Sequence, residues 1–181
     1  MKRGLVIGII VILGLVIILG GAFFLLEDEC KNQSDNCYIS KAMEKQDEKI
    51  CNKLDDITSK EDCLIAVAGE KQDVEVCDKI GPRDKINACF RNVAVKKQDE
   101  FVCDQIEDKS AIEECYIYVA EEMGDGSLCE KISPDEDGRQ SSTKDNCLMK
   151  VAIKINDWEM CHNIRGVWKE NCFAKTEQQI P

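Results

Sequence analysis

Apolar residues follow two patterns along this chain. From Gly4 to Leu26 there are 23 consecutive residues without a charge, and beyond them apolar residues come in short groups at helical spacing. The first pattern predicts one long helix. At about 1.5 Å of rise per residue it is roughly 34 Å long, enough to cross a bilayer core. Lys2 and Arg3 precede it; Glu27, Asp28 and Glu29 follow. Basic residues stay on the cytoplasmic side. The expectation is therefore a single-pass protein of the cell membrane, with residues 1–26 a signal-anchor, the N-terminus inside and the C-terminal domain extracytoplasmic.

Other readings of this segment fit less well. A cleaved signal peptide has an apolar region of about 7–15 residues ending at a small-residue site. Here Phe23-Phe24-Leu25-Leu26 follows the small cluster Gly20-Gly21-Ala22. No cysteine follows a small residue at the end of the run, so a lipobox is missing. Lys2-Arg3-Gly4 looks like a prepilin-type cleavage site, but the glutamate that pilins carry five residues into the mature chain is absent. Gly4-Leu5-Val6-Ile7-Gly8 is a G-x-x-x-G of the kind that packs helix dimers.

The second pattern repeats. The chain has twelve cysteines: Cys30, Cys37, Cys51, Cys63, Cys77, Cys89, Cys103, Cys115, Cys129, Cys147, Cys161 and Cys172. From Cys37 their steps are 14, 12, 14, 12, 14, 12, 14, 18, 14 and 11, a period of 26 with six residues inserted into one step. Five copies align on Cys37, Cys63, Cys89, Cys115 and Cys147. Four of them carry valine four residues on (Val67, Val93, Val119, Val151), where the first has Lys41. Alanine follows at the fifth position in all: Ala42, Ala68, Ala94, Ala120, Ala152. Aspartate comes at the tenth: Asp47, Asp73, Asp99, Asp125, Asp157.

Apolar residues at positions 0, 1, 4 and 5 make one helical face, and those at 13, 14 and 17 a second, shorter helix. The aspartate between them fits an N-cap, accepting from the first free N–H groups of the second helix at its positive end. Turn signals then close each copy: Gly81-Pro82, Glu107-Asp108-Lys109-Ser110, and Ser133-Pro134 onward. The expected fold is all-α, with a transmembrane helix and then a solenoid-like array of helical hairpins. Its divisions are an anchor at 1–26, a juxtamembrane linker at 27–36, copies at 37–62, 63–88, 89–114, 115–146 and 147–172, and a tail at 173–181.

Two nearest-neighbour cysteine pairings are open. One joins the 14-step partners within a copy, the other each second-helix cysteine to the next copy's first. A turn near Pro82 leaves Cys77 and Cys89 level on antiparallel helices. The within-copy scheme staggers its partners by roughly 6 Å, awkward against a Cα separation of about 5.5–6 Å. The level scheme also leaves Cys30 and Cys37 to close the loop leading into the array. Spacing favours it without proving it. A unit of 26 residues cannot bury enough apolar area alone, so each copy needs a neighbour and a staple.

Charge and cysteine chemistry narrow the function classes. Leaving out Lys2 and Arg3, the segment 27–181 has 22 basic and 35 acidic residues, a net charge of −13. Such a surface repels nucleic acid and anionic headgroups. Zinc and iron–sulfur sites bring two ligands within a few residues, but no C-x-x-C occurs and His162 is the one histidine. An even cysteine count at wide spacing outside the cytoplasm reads as disulfides. Ser133–Lys144 has a glycine at the sixth place of an EF-hand loop, yet neither end residue suits calcium, which leaves Asp135 and Asp137 as a weak site at most. Asn32-Gln33-Ser34 is an N-glycosylation sequon. Trp158 and Trp168 both fall in the last copy, as caps of the core or as a binding spot.

The phrases C-[YLF]-x-x-V-A and K-Q-D-x-x-x-C-x-K-I over residues 37–172 resemble those of cysteine-rich helical-repeat proteins, membrane-anchored or secreted, of the kind seen in archaeal genomes. That family carries no agreed activity, so the resemblance implies an architecture and no reaction. The last copy departs from it, since Gly166-Val167-Trp168 shortens the final step to 11. No triad, phosphate loop, metal motif or acid/base pair is legible. The expectation is a non-enzymatic interaction or structural module at the cell surface. It uses no cofactor, is held in the membrane by residues 4–26, and meets a protein or envelope partner. The alternative is an extracytoplasmic thiol-redox protein.

Overall fold

A computed structural model describes residues 30, 34–134 and 138–177. The predicted span at 4–26, the sequon at Asn32, and Asp135 and Asp137 lie outside these. Among the described residues no helix is long and apolar enough to cross a membrane. Among the described residues six α-helices follow one another: α1 (Asp35–Lys45), α2 (Ile57–Lys71), α3 (Arg83–Lys97), α4 (Lys109–Met123), α5 (Ser142–Ile155) and α6 (Gly166–Glu177). Between them lie five short 3₁₀ helices, Glu48–Lys53, Val74–Lys79, Glu100–Gln105, Gly126–Lys131 and Glu159–Asn163. No strand occurs among the described residues. The chain divides into two compact units, Met1–Cys37 and Tyr38–Pro181. The described part of the first contains the Cys30–Cys37 disulfide.

The phrase Lys-Gln-Asp is a stop signal joined to a start signal. Gln46, Gln72 and Gln98 end their helices in the left-handed region, at φ of 49°, 55° and 53°. Gly124 and Asn156 take the same place in the later copies. The aspartate N–H then reaches back to the alanine carbonyl, as in Asp73 to Ala68 at 3.0 Å and Asp99 to Ala94 at 3.0 Å. Together with the Gln72 N–H to Gly69 O bond this is a Schellman closure, which uses up carbonyls the helix end leaves free. The same aspartate opens the next helix. As N-caps, Asp47 Oδ1 accepts from Lys49 N, Asp73 from Glu75 N, Asp99 from Phe101 N and Asp125 from Ser127 N, at 2.9–3.1 Å; in the fifth copy the cap position falls on Trp158, and Asp157, one residue earlier, accepts from Glu159 N at 3.0 Å. The helix begun this way is 3₁₀, and it ends on a buried residue, Leu54, Ile80, Ile106, Ile132 or Ile164, whose N–H returns to the cysteine carbonyl.

Each 3₁₀ helix from Val74–Lys79 onward lies against the α-helix before it and the one after it, and α2 to α6 pack in succession. The disulfides are Cys51–Cys63, Cys77–Cys89, Cys103–Cys115, Cys129–Cys147 and Cys161–Cys172, with Cα separations of 5.6–5.8 Å. These are the level pairs: every 3₁₀ helix is stapled to the α-helix that follows it. The buried face is the one the periodicity predicts. Ala42, Ala68, Ala94, Ala120 and Ala152 and four valines beside them are wholly buried.

The repeat differs from its sequence reading in phase. The full α-helices α2, α3 and α4 begin six residues before their cysteine, so the structural unit straddles the copies counted from Cys37. Cys172 then falls in register with Cys147, not with Cys161. Helix α6 is the first half of a sixth copy, with Phe173 at the position of Tyr38, Phe90 and Tyr116 and Thr176, 1 % exposed, where four of the others have valine. The segment expected as a tail from 173 is helical as far as Glu177. The shortened step removes a residue from the connection, where Gly166 takes φ +54°.

Candidate functional site

Two of the clefts formed by the described residues differ in origin. The first, of about 420 Å³, lies across α2, α3 and α4. Its apolar lining is Ile65 and Ala66 of α2 with Ala88 and Val95 of α3. The two α-helices approach closely because Gly69 has no side chain: a Cβ there would lie 2.3 Å from Asn92 Nδ2. Asn92 instead donates to Ile65 O at 2.8 Å. At the rim stands Tyr118, 40 % exposed. The Arg91 guanidinium and Lys150 Nζ each lie 5.0 Å from its ring centroid. Both cations are themselves held, Arg91 by Glu114 and Lys150 by Glu121 at 2.8 Å. Tyr118 is thus an aromatic side chain fixed in place beside apolar space.

The second cleft, of about 350 Å³, lies where α5 and α6 begin. It is bordered by Arg139, Gln140, Arg165 and Trp168 over Asp145. Asp145 is buried, and its Oδ1 accepts from Gln140 Nε2 and, at 3.2 Å, from Arg165 N. The Arg165 side chain returns to it, Nε 3.5 Å from Oδ2. Trp168 borders this cleft, while Trp158 is not part of its lining and meets His162 edge-on at 5.8 Å. His162 in turn meets Phe173 at 5.1 Å.

A third cluster joins copies three and four. Lys131 Nζ lies 5.2 Å from the Phe101 ring and 4.9 Å from that of Tyr116. Tyr116 donates its hydroxyl proton to Asp104. Burial, with that bond and the negative charge of Asp104, pushes the Tyr116 hydroxyl well above its ordinary pKa. Lys53 over Tyr38, at 5.8 Å, repeats the cation–ring pairing in the first copy, which marks it as part of the frame.

Electrostatics elsewhere tie copy to copy. Glu48 takes Lys71 Nζ at 2.9 Å and Lys79 Nζ at 3.0 Å, and these bonds bring its pKa down to about 2. Gln46 and Gln72 donate their amides to Glu70 O and Lys96 O in the next copy, each at 3.2 Å. Asp125 is lowered by the Ser127 hydroxyl and N–H, and Asp56, an N-cap of α2, by Ser59 N.

One recurring polar position escaped the sequence reading. Two residues before each first cysteine stands Asp35, Glu61, Asn87, Glu113, Asp145 or Glu170. Glu113 accepts from Ser133 N and Asp145 from Arg165 N, each just past the end of its own copy's 3₁₀ helix. Glu61, also buried, faces Gly81 at the matching place. A polar residue recurring inside an apolar helix face was the available signal. All twelve cysteines are in disulfides, and among the described residues no cluster of His, Cys, Asp or Glu has metal-binding geometry. No protein-family model matches the chain, nor does any curated protein or solved structure.

Proposed function

We propose that the chain is a membrane-anchored, extracytoplasmic interaction module without catalytic activity, an α-solenoid-like array held at the envelope by residues 4–26. This reading extends the resemblance to cysteine-rich helical-repeat proteins. The observation that carries it is Tyr118. An aromatic ring clamped between two cations beside apolar space has given up its rotamer freedom before a partner arrives, which is the economy of an interface hot spot. The disulfide between successive copies keeps α2, α3 and α4 in the register that forms the cleft. The net charge of −13 over residues 27–181 favours a basic protein partner.

The test places a photo-crosslinking residue at Ala88, in the cleft floor, in the full-length protein in its own membranes. A discrete product that Tyr118→Ala weakens by about tenfold or more supports the reading, tenfold being the scale of a hot-spot truncation. A product indifferent to Tyr118, or none, removes it. Labelling of intact cells with a membrane-impermeant lysine reagent tests the address: modification only after lysis places the array inside.

A further inference from the structure

We propose that the C-terminal ends of α4 and α5 form a docking surface for a cationic, amphipathic peptide segment of a partner protein. Its apolar side chains lie on Met123, Ile155 and Trp158, and its lysines or arginines face the carboxylates around them. The change that makes this surface is written in the repeat. Eight residues after the first cysteine, three copies have Lys45, Lys71 and Lys97, and the last two have Met123 and Ile155. Eleven residues after it come Glu48, Val74, Glu100 and Gly126, and then Trp158. In the early copies this edge is closed by ion pairs, Lys71 with Glu48 at 2.9 Å and Lys97 with Asp99 at 3.3 Å. In the late copies it is apolar and open: Met123 is 40 % exposed, Ile155 45 % and Trp158 45 %.

The three side chains come together because Gly124 stands where Gln46 and Gln72 clamp one copy to the next. Ile155 fills the space that the missing side chain leaves, its Cγ2 2.6 Å from where a Cβ on Gly124 would lie. Trp158 follows Ile155 by three residues and caps the last 3₁₀ helix, its ring edge-on to His162. The helical frame does not require these residues, since lysine serves the same position in three copies. Exposed apolar groups gathered in one place mark an interaction surface. Tryptophan and methionine suit it, the one as a rigid anchor and the other as an adaptable one.

Charge selects the occupant. Residues 34–97 have 12 basic and 13 acidic residues, a net −1, whereas residues 98–177 have 9 and 19, a net −10. The apolar surface thus stands in the acidic half. Beside it, Glu121 and Glu122 are neutralised by Lys150 and Lys154, at 2.8 and 3.3 Å. Asp125, Asp157 and Glu159 have no such counter-charge among the described residues; the two aspartates accept only backbone and hydroxyl bonds, and Glu159 is exposed. Two such acidic halves repel each other, and an anionic lipid surface is repelled likewise. A cationic segment with an apolar face matches both the patch and its rim.

The test uses the full chain in a neutral detergent, labelled with ¹⁵N at its two tryptophans, so that two indole N–H signals report. The probe is a peptide of about 14 residues with leucine and lysine at amphipathic helical spacing, titrated to about 1 mM. A peptide with glutamate in place of lysine is its control. The expected result is saturable movement of the Trp158 signal with Trp168 still, and an action of the glutamate peptide at least about tenfold weaker. Ile155→Lys restores the residue of the early copies and should weaken binding by about tenfold, the scale of a hot-spot loss. An unchanged Trp168 signal shows that this variant keeps the fold. Equal action of the two peptides would overturn the charge assignment. No movement of Trp158, or movement indifferent to Ile155→Lys, would overturn the surface. Movement without peptide, on raising the protein or the detergent concentration, would give the patch to a second copy or to lipid and overturn the peptide assignment. The inference stands on the ends of α4 and α5 and not on the Tyr118 cleft, so its failure leaves the proposed function as it was.

Discussion

Residues 63–132 and the region from Ser133 onward are made from the same phrase and use it differently. In the first, spacing is constant, connections are short, and neighbouring side chains interlock at close range: Gly69 under Asn92, Gln72 over Lys96. In the second, one connection is longer, the next is shorter, and a half-copy closes the core with Thr176 in place of valine. Regularity builds the frame, and departure from it makes room for polar groups that the frame has no use for. Where a repeat protein breaks its own rule, the residues that break it are the ones to question first.

The comparison can be broken most strongly at the disulfides. The loops closed by Cys103–Cys115 and Cys161–Cys172 are 12 and 11 residues apart in sequence, so chain entropy alone assigns each about 3 kcal/mol. Replacing the first pair with alanines should lower the urea midpoint of the whole array. Replacing the second should release α6 alone, leaving the main transition near its original midpoint. Equal effects on the main transition would mean that the end is no less integral than the middle.

Gly69→Ala comes next. Alanine normally stabilises a helix interior over glycine by about 0.5–1 kcal/mol. Here the new methyl displaces the Asn92 amide, so thermal melting should show a loss of about 1–3 kcal/mol, the cost of overpacking. A smaller contrast separates Gln98 from Gly124, which share a left-handed backbone. Gln98→Gly should gain about 0.5–1 kcal/mol by relieving that backbone. Gly124→Gln should lose stability, because its Cβ would lie 2.6 Å from Ile155 Cγ2. The smallest effect is a pH dependence at the front of the array. Glu48 has its pKa lowered from 4.5 to about 2, so its contribution is complete above pH 4.5 and fades as pH falls toward 2. Because the ion pairs are partly solvated, the loss should stay below about 1 kcal/mol. Glu48→Gln should flatten that part of the stability profile.

Much of the frame was legible in the sequence because it is periodic. Cysteine spacing, the valine and alanine face and the capping aspartate each recur five times or nearly so, and each follows from helix geometry. The 3₁₀ character of the second helices was not legible: six residues with apolar positions at 13, 14 and 17 suit either helix type. The phase is hidden when copies are counted from a cysteine, because the physical start is the helix cap at Asp56 or Asp108, seven residues earlier. The left-handed glutamines were hidden by residue type, since glycine or asparagine is the usual mark of that position. The terminal cleft was visible only in pieces. Trp168 and the inserted loop stand out in the sequence, but no spacing rule brings Arg139 and Arg165 to one cleft.

The central claim is that successive copies are stapled to one another and not closed within themselves. Mass spectrometry of the full chain, digested without reduction, reads this directly. The account predicts six linked peptides, with Cys51–Cys63, Cys77–Cys89, Cys103–Cys115, Cys129–Cys147 and Cys161–Cys172 joining each 3₁₀ helix to the next α-helix, and Cys30–Cys37 closing the approach. Peptides linked Cys37–Cys51 or Cys63–Cys77, or a substantial fraction of free thiols, would contradict it.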